Sequence, residues 1–183
     1  MIQNIVVKDD LSFEEKINLK ELSTKISNTE YNPDRFPGLF IRYTQPKCVI
    51  IFFRNGKLIL MGLKSFNQID LVIKRLIFKL NDIFEDQIDP NSIKTKIVNI
   101  VITANFYKKI NLNLAVLKLD NSIYEPEVFP GLVYKTSIPI KSVFLIFSTG
   151  KIVSTGISEK IMIEPALKHL GNLLNAKDLF ITS

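Results

Sequence analysis

Residues Tyr31 to Pro46 read YNPDRFPGLFIRYTQP and residues Tyr124 to Pro139 read YEPEVFPGLVYKTSIP, so a Tyr, a Pro, the run Phe-Pro-Gly-Leu and a closing Pro recur 93 residues apart. Downstream, IIFFRNGKLILMG ends at Gly62 and FLIFSTGKIVSTG ends at Gly156, an offset of 94 that places one extra residue near Ile140. Upstream, QNIVV around Asn4 matches VNIVI around Asn99 at an offset of 95. The 183-residue chain is therefore two tandem copies of one unit, with a period too long for a solenoid. Between Asp82 and Lys94 the run DIFEDQIDPNSIK mixes charges with Pro90 and Asn91, and the join is expected there, giving repeats over 1–90 and 91–183.

Composition narrows the function without choosing it. Hydrophobic residues at 46% and charged ones at 23% are ordinary for a folded chain. An excess of 24 Lys+Arg over 18 Asp+Glu favours a polyanionic partner, although many proteins with that balance bind none. Cys48 and His169 are the sole cysteine and histidine, so an intramolecular disulfide and a zinc finger are excluded, and because the two read as lying on different elements, with Cys48 facing the helices and His169 on the last helix, no Cys-His or Ser-His-acid catalytic set is found and a structural role is expected for each. Gly-Lys recurs in hairpins and not ahead of helices, so no phosphate-binding glycine loop is present, and no metal or cofactor is expected. No apolar run approaches the roughly 18 residues of a membrane span, and MIQNIVVKDD lacks the basic region and cleavage site of a signal peptide. The expectation is a soluble intracellular protein.

Each copy reads as a strand (2–8 and 96–103), a short helix (17–25 and 111–118), four strands and a long helix (65–82 and 159–175). Ile69, Val72, Ile73, Leu76, Leu80 and Ile83 recur at three- and four-residue steps and form an apolar stripe, as do Ile163, Leu167, Leu170 and Leu174. Pro165 falls inside the second pattern, so that helix either begins late or kinks there. Arg54-Asn55-Gly56 and Ser148-Thr149-Gly150 separate strand patterns and read as tight hairpin turns.

The strands CVIIFF, KLILM, VFLIF and KIVST are apolar on nearly every residue, whereas antiparallel strands with one wet face alternate. Val49, Ile51 and Phe53 share one face and Cys48, Ile50 and Phe52 the other. If the few helices cover a single face, the second is an exposed apolar surface, which marks an interaction site. The alternative is a closed two-layer core.

The Asn-Ile-Val opening of each copy, Tyr-Xaa-Pro-Xaa-Xaa-Phe-Pro-Gly-Leu, and Phe-Xaa-Xaa-Gly-Lys followed by a strand and Gly resemble the core of the TATA-box-binding proteins, general transcription initiation factors, along essentially the whole chain. The resemblance implies an α+β fold, a pseudo-two-fold saddle with a curved ten-stranded antiparallel sheet and four helices on its convex face. It implies binding and sharp bending of double-stranded A·T-rich promoter DNA through the minor groove, with Phe36, Phe53, Phe129 and Phe147 as wedges between base steps. Asn4, Asn99 and Thr155 would contact base edges, over an apolar floor of Val6, Ile59, Val101, Val153, Ile51 and Leu145. Arg35, Arg42, Lys57, Lys135 and Lys151 match phosphate-side positions. Glu125 and Glu127 match the loop that recruits transcription factor B, and through it the RNA polymerase machinery. The protein would then act on chromosomal DNA, in the nucleoid of an archaeon or the nucleus of a eukaryote, and the compact chain looks archaeal in type.

Three positions depart from that pattern. Met61 stands where Thr precedes Gly in the second copy, and a thioether cannot donate a hydrogen bond. Lys135 replaces the arginine fork. The extra residue near Ile140 is expected to distort the hairpin that carries Phe147. These departures leave open a divergent paralogue with reduced TATA specificity, and the aromatic residues leave open a platform for single-stranded nucleic acid.

Overall fold

The structure, a computed structural model, describes every residue except Ser12, Glu14, Glu15, Glu85, Asp86, Gln87, Asn91, Ser92, Lys94, Thr182 and Ser183. The chain divides into two compact units, Asn4–Val98, and Asn99–Ser183 together with Met1–Gln3. Much of the expected join lies outside the described residues.

In the first unit, β1 (Ile2–Asp10) leads through α1 (Leu19–Lys25) to β2 (Thr29–Glu30), β3 (Leu39–Thr44), β4 (Lys47–Phe52), β5 (Lys57–Leu63) and α2 (Asn67–Asn81). Its strands pair antiparallel in the order β2-β3-β4-β5-β1. The second unit repeats this with β6 (Lys96–Asn105), whose first three residues Lys96–Val98 still belong to the first unit, α3 (Leu112–Lys118), β7 (Ser122–Ile123), β8 (Leu132–Thr136), β9 (Ser142–Ile146), β10 (Lys151–Ile157) and α4 (Ile163–Ala176), in the order β6-β10-β9-β8-β7. Antiparallel strands and separate helices make this the α+β class that the resemblance implies.

Both short helices start the same way. The Asn18 side chain accepts the Glu21 N–H at 3.3 Å, and the Asn111 side chain accepts the Leu114 N–H at 3.0 Å, so the duplicated sequence carries a duplicated N-cap. Pro165 is accounted for by a late start. A 3₁₀ turn over Lys160–Met162 precedes α4, and Pro165 is the third residue of the helix, where its missing N–H has no intrahelical acceptor to lose. The buried stripe of α4 consequently runs through Ala166, Leu170 and Leu174, with Ile163 and Leu167 only half-buried. In α2 the stripe is as expected, with Ile77 added and Ile83 beyond the helix end.

One face of each unit's strands is closed. Ile5, Val7, Ile50, Phe52, Leu58 and Leu60 are buried with the α2 stripe, and Arg75 of α2 stands 4.9 Å over the Tyr43 ring of β3. Cys48 belongs to this face, and burial pushes its thiol up to about 11, far from a reactive thiolate. One further aromatic pair packs in each unit, Phe13 against Phe84 at 5.6 Å and Phe106 against Phe180 at 5.9 Å. The opposite strand faces remain half-buried, which removes the closed two-layer alternative for each unit. Among the described residues no helix is long and apolar enough to cross a membrane.

Two polar groups on the closed face carry predictions. Ser154 is fully buried on β10, opposite Phe144 of β9, and its hydroxyl has no hydrogen-bond partner among the described residues. An unsatisfied buried hydroxyl costs about 1–3 kcal/mol. Ser154→Ala is expected to stabilise the protein by about 1 kcal/mol, seen as a higher urea midpoint at unchanged m-value; a lower midpoint would contradict it. Asp9, 7% exposed, accepts the Thr95 hydroxyl at 2.9 Å and the Asp10 N–H at 2.9 Å, yet burial outweighs these bonds and raises its carboxyl above the ordinary value. The native state therefore holds this proton to higher pH than the unfolded chain, and stability is lost as pH rises from about 4 through the raised value. Asp9→Asn is expected to gain on the wild type as pH rises from 4 to 7, measured as the gap between urea midpoints.

Candidate nucleic-acid interface

The open strand faces are built from cross-strand rows. In the first unit Lys8 pairs with Ile59, Ile59 with Ile51 and Ile51 with Phe40, and the next row runs Met61, Val49, Arg42. In the second unit the rows are Thr103, Val153, Leu145, Val133 and Thr155, Val143, Lys135. Asn4 and Val6 lie on the same face of β1, and Asn99 and Val101 on that of β6. The residues read from the sequence as an apolar floor thus share a face within each unit. Ile51 is the least open of them at 8% exposed, and its Cγ2 meets the Phe36 and Phe53 rings around Gly38, so it also supports the phenylalanines.

Those rings are placed by turns. The Asn32 carbonyl accepts the N–H groups of Arg35 and Phe36, and the Glu125 carbonyl accepts those of Val128 and Phe129, a tight turn that presents the first phenylalanine of each pair. The second phenylalanine begins a hairpin: the Phe53 carbonyl accepts from Gly56 at 3.0 Å while its N–H donates to Lys57 at 2.9 Å, with Gly56 at φ +79°. Phe147, Gly150 and Lys151 repeat the pattern with Gly150 at φ +88°. This is the turn-plus-bulge hairpin that needs glycine in the left-handed region. The two rings then meet, with centroids 6.0 Å apart for Phe36 and Phe53 and 5.8 Å for Phe129 and Phe147. Phe36 is 37% exposed, and Phe40 adds a third ring at 5.3 Å in the first unit only.

The extra residue near Ile140 does not distort this arrangement. Leu39 pairs with Phe52 and Leu132 with Ile146, the same register on either side of the insertion, and the additional length is taken up between Thr136 and Ser142, where the ladder closes. Phe147 accordingly keeps the ring contact of its counterpart Phe53.

Asn4 and Asn99 are oriented by glycines. The Gly62 N–H donates to Asn4 Oδ1 at 2.7 Å and the Gly156 N–H to Asn99 Oδ1 at 2.7 Å, contacts more than 50 residues apart in sequence. A backbone donor requires the oxygen there, which leaves each Nδ2 as a donor with no protein partner among the described residues. Asn99 Oδ1 also accepts the Thr155 hydroxyl at 3.2 Å, whereas Met61 offers Asn4 nothing.

The cations differ in their surroundings. Arg42 pairs with Glu30 at 3.1 Å and lies over the Phe40 ring, so its charge is partly answered within the protein. Lys135, its counterpart, has Ile123 where the first unit has Glu30, and it enters no ion pair among the described residues. Arg35, Lys57 and Lys151 are exposed, as are Glu125 and Glu127 on the loop before Phe129. Sequence reasoning missed Phe40, Lys8 and the two glycine-to-asparagine bonds. Aligning the copies would have set Lys8 against Thr103, but nothing local signals the asparagine contacts.

A sheet surface duplicated in this way, apolar, carrying paired aromatic rings and amide donors and rimmed by cations, defines a nucleic-acid-binding body. The sequence profile of the family described as "Transcription factor TFIID (or TATA-binding protein, TBP)" matches residues 1–83 and 94–176. The TATA-box-binding protein of Aeropyrum pernix is 40% identical over 182 residues, covering 98% of this chain and 86% of the relative. That of Methanocaldococcus jannaschii is 39% identical over 169 residues, covering 92% and 90%. A solved structure of Methanococcus jannaschii TBP superposes with a TM-score of 0.83 at 36% identity, covering 96% of this chain and 97% of that one. The chain belongs to the TATA-box-binding protein family, whose members are DNA-binding transcription factors and not enzymes.

Proposed function

We propose that this protein binds the minor groove of A·T-rich promoter duplex, bends it by inserting Phe36, Phe53, Phe129 and Phe147 between base steps, and recruits transcription factor B through the loop of Glu125 and Glu127. The observation that carries this reading is the repeated aromatic pair, held by the same two turns above the apolar sheet face of each unit. Separating a base step costs a few kcal/mol, a figure drawn from minor-groove wedge proteins of this very kind, and an apolar ring recovers part of it by filling the gap. The outward amides of Asn4 and Asn99 suit the acceptors of A·T pairs, where the guanine amino group would obstruct. Arg35, Arg42, Lys57, Lys135 and Lys151 fix the register on phosphates without reading sequence.

The test is a titration into duplexes labelled at both ends, carrying TATAAA or its G·C-substituted version. Selective binding with a large bend supports the reading, and absence of duplex binding removes it. A second reading, a paralogue with reduced specificity, is favoured by one observation: Asn4 is held by a single bond where Asn99 has two. Met61→Thr adds a hydroxyl at the position of Thr155, and one net hydrogen bond is worth about 1 kcal/mol, or roughly fivefold. The variant is expected to sharpen base preference in the half-site under the first repeat by that amount. Unchanged affinity and preference would count against any role for Met61.

A further inference from the structure

Beside the first unit's aromatic pair lies an open cleft of about 800 Å³ lined by five cations, Lys8, Lys16, Arg54, Lys57 and Lys96. Phe53 and Ile59 supply an apolar wall. Asp9 and Asp10 are its two carboxylates, and that of Asp9 is already held by the Thr95 hydroxyl and the Asp10 N–H. All five cations are exposed, and none enters an ion pair among the described residues. The second unit has a cleft at the equivalent place, about 840 Å³ beside Phe147, with Lys151 as its single charged side chain and the Met1 ammonium, which donates to the Thr103 carbonyl, as its other positive group. The difference is built by substitution at matched positions. Lys8 pairs with Ile59 where Thr103 pairs with Val153, and Arg54 follows Phe53 where Ser148 follows Phe147.

We infer that the first-unit cleft is a phosphodiester-binding extension of the interface, gripping the duplex backbone next to Phe53 where the second unit makes a single-lysine contact. This rests on the proposed DNA binding. Five cations against two carboxylates, gathered at a low-dielectric wall, leave an excess of positive charge whose field a polyanion relieves. A passing strand delivers successive phosphates to the cations along the cleft and its deoxyriboses to Phe53 and Ile59. The consequence is polarity: counterion release, and with it the salt dependence of binding, is concentrated under the first repeat, which helps to set the direction in which a protein built of two like repeats lies on DNA.

The experiment measures log K against log salt for the full chain on a TATAAA duplex. Removing one cation–phosphate pairing lowers the magnitude of the slope by about 0.9. The Lys8→Gln, Arg54→Gln, Lys96→Gln triple variant is expected to lower it by roughly one to three, and Ser148→Arg to raise it by up to about 0.9. Lys168→Gln, on α4 and paired with Glu164, is the control and leaves the slope unchanged. If the wild type binds and bends DNA while neither the triple variant nor Ser148→Arg moves the slope, the inference is overturned and the proposed function stands. Inorganic phosphate at matched ionic strength separates the remaining source. Phosphate binding to the free protein that the triple variant abolishes, with the DNA slope untouched, would make this an anion site and overturn the inference too. A wild type that binds no duplex removes the proposed function itself.

Discussion

Replacing Phe36 and Phe129 together by alanine is expected to leave a folded protein that no longer bends DNA. Phe36 is 37% exposed and Phe129 half-buried, and each ring rests on its partner outside the closed face where Phe52 and Phe144 anchor the core. Their loss therefore removes little of what holds the units together. It removes the groups that would fill two opened base steps, and at a few kcal/mol per step affinity for TATAAA falls by about a hundredfold or more. End-to-end energy transfer on a doubly labelled duplex reads the bend, and urea unfolding of the same variants verifies the fold. A stable variant that bends DNA as the wild type does would show that these rings are not wedges.

The second large effect comes from two glycines packed against the paired rings. A methyl group at Gly131 would stand 2.7 Å from Phe129 Cε1 and 3.1 Å from Phe147 Cε1, and one at Gly38 would stand 2.6 Å from Ile51 Cγ2 and 2.7 Å from Phe36 Cε1. Separations under 3 Å force a shift, and the atoms that must move belong to the paired rings. Neither glycine has the left-handed backbone of Gly56 or Gly150, so alanine is not excluded by conformation there. Gly131→Ala is expected to splay the second pair and lower TATAAA affinity about tenfold to a hundredfold, the equivalent of 1.4–2.8 kcal/mol, while the urea midpoint changes little. Gly38→Ala acts similarly but also presses on Ile51, so its stability cost is larger. Parallel loss of stability and binding in Gly131→Ala would mean that the glycine serves the fold alone. Intact binding would show that the rings have other room to occupy.

The sequence carried the architecture because it states it twice. Hydrophobic alternation was nearly erased by strands apolar on both faces, yet the match between copies preserved register and located the hairpin glycines, the paired phenylalanines and the amides. What remained hidden depends on contacts distant in the chain. The bond from Gly62 to Asn4 spans 58 residues, and the Phe13–Phe84 and Phe106–Phe180 pairs join positions about 70 residues apart. The offset between those two pairs drifts from 93 at their first members to 96 at their second, so no fixed period reveals them. Pro165 was ambiguous because periodicity alone cannot tell a first turn from a helix interior. The burial of Ile51 follows from rings folding back over their own strand, which alternation does not encode. Lys8 reads as one more surface lysine until Ile59 and Arg54 are placed around it.

The loop between Thr136 and Ser142 already accommodates an additional amino acid without passing the disturbance to Phe147. It is thus a graft point: a longer sequence bearing a fluorophore or an affinity epitope can be spliced in at this bend, with the aromatic pair and the strand register on either side undisturbed. The shorter Gln45-Pro46 bend of the first repeat, closed directly between Thr44 and Lys47, has no such slack. A reporter placed in the second repeat would tell that repeat from the first and make the heading of the bound protein on a promoter directly visible.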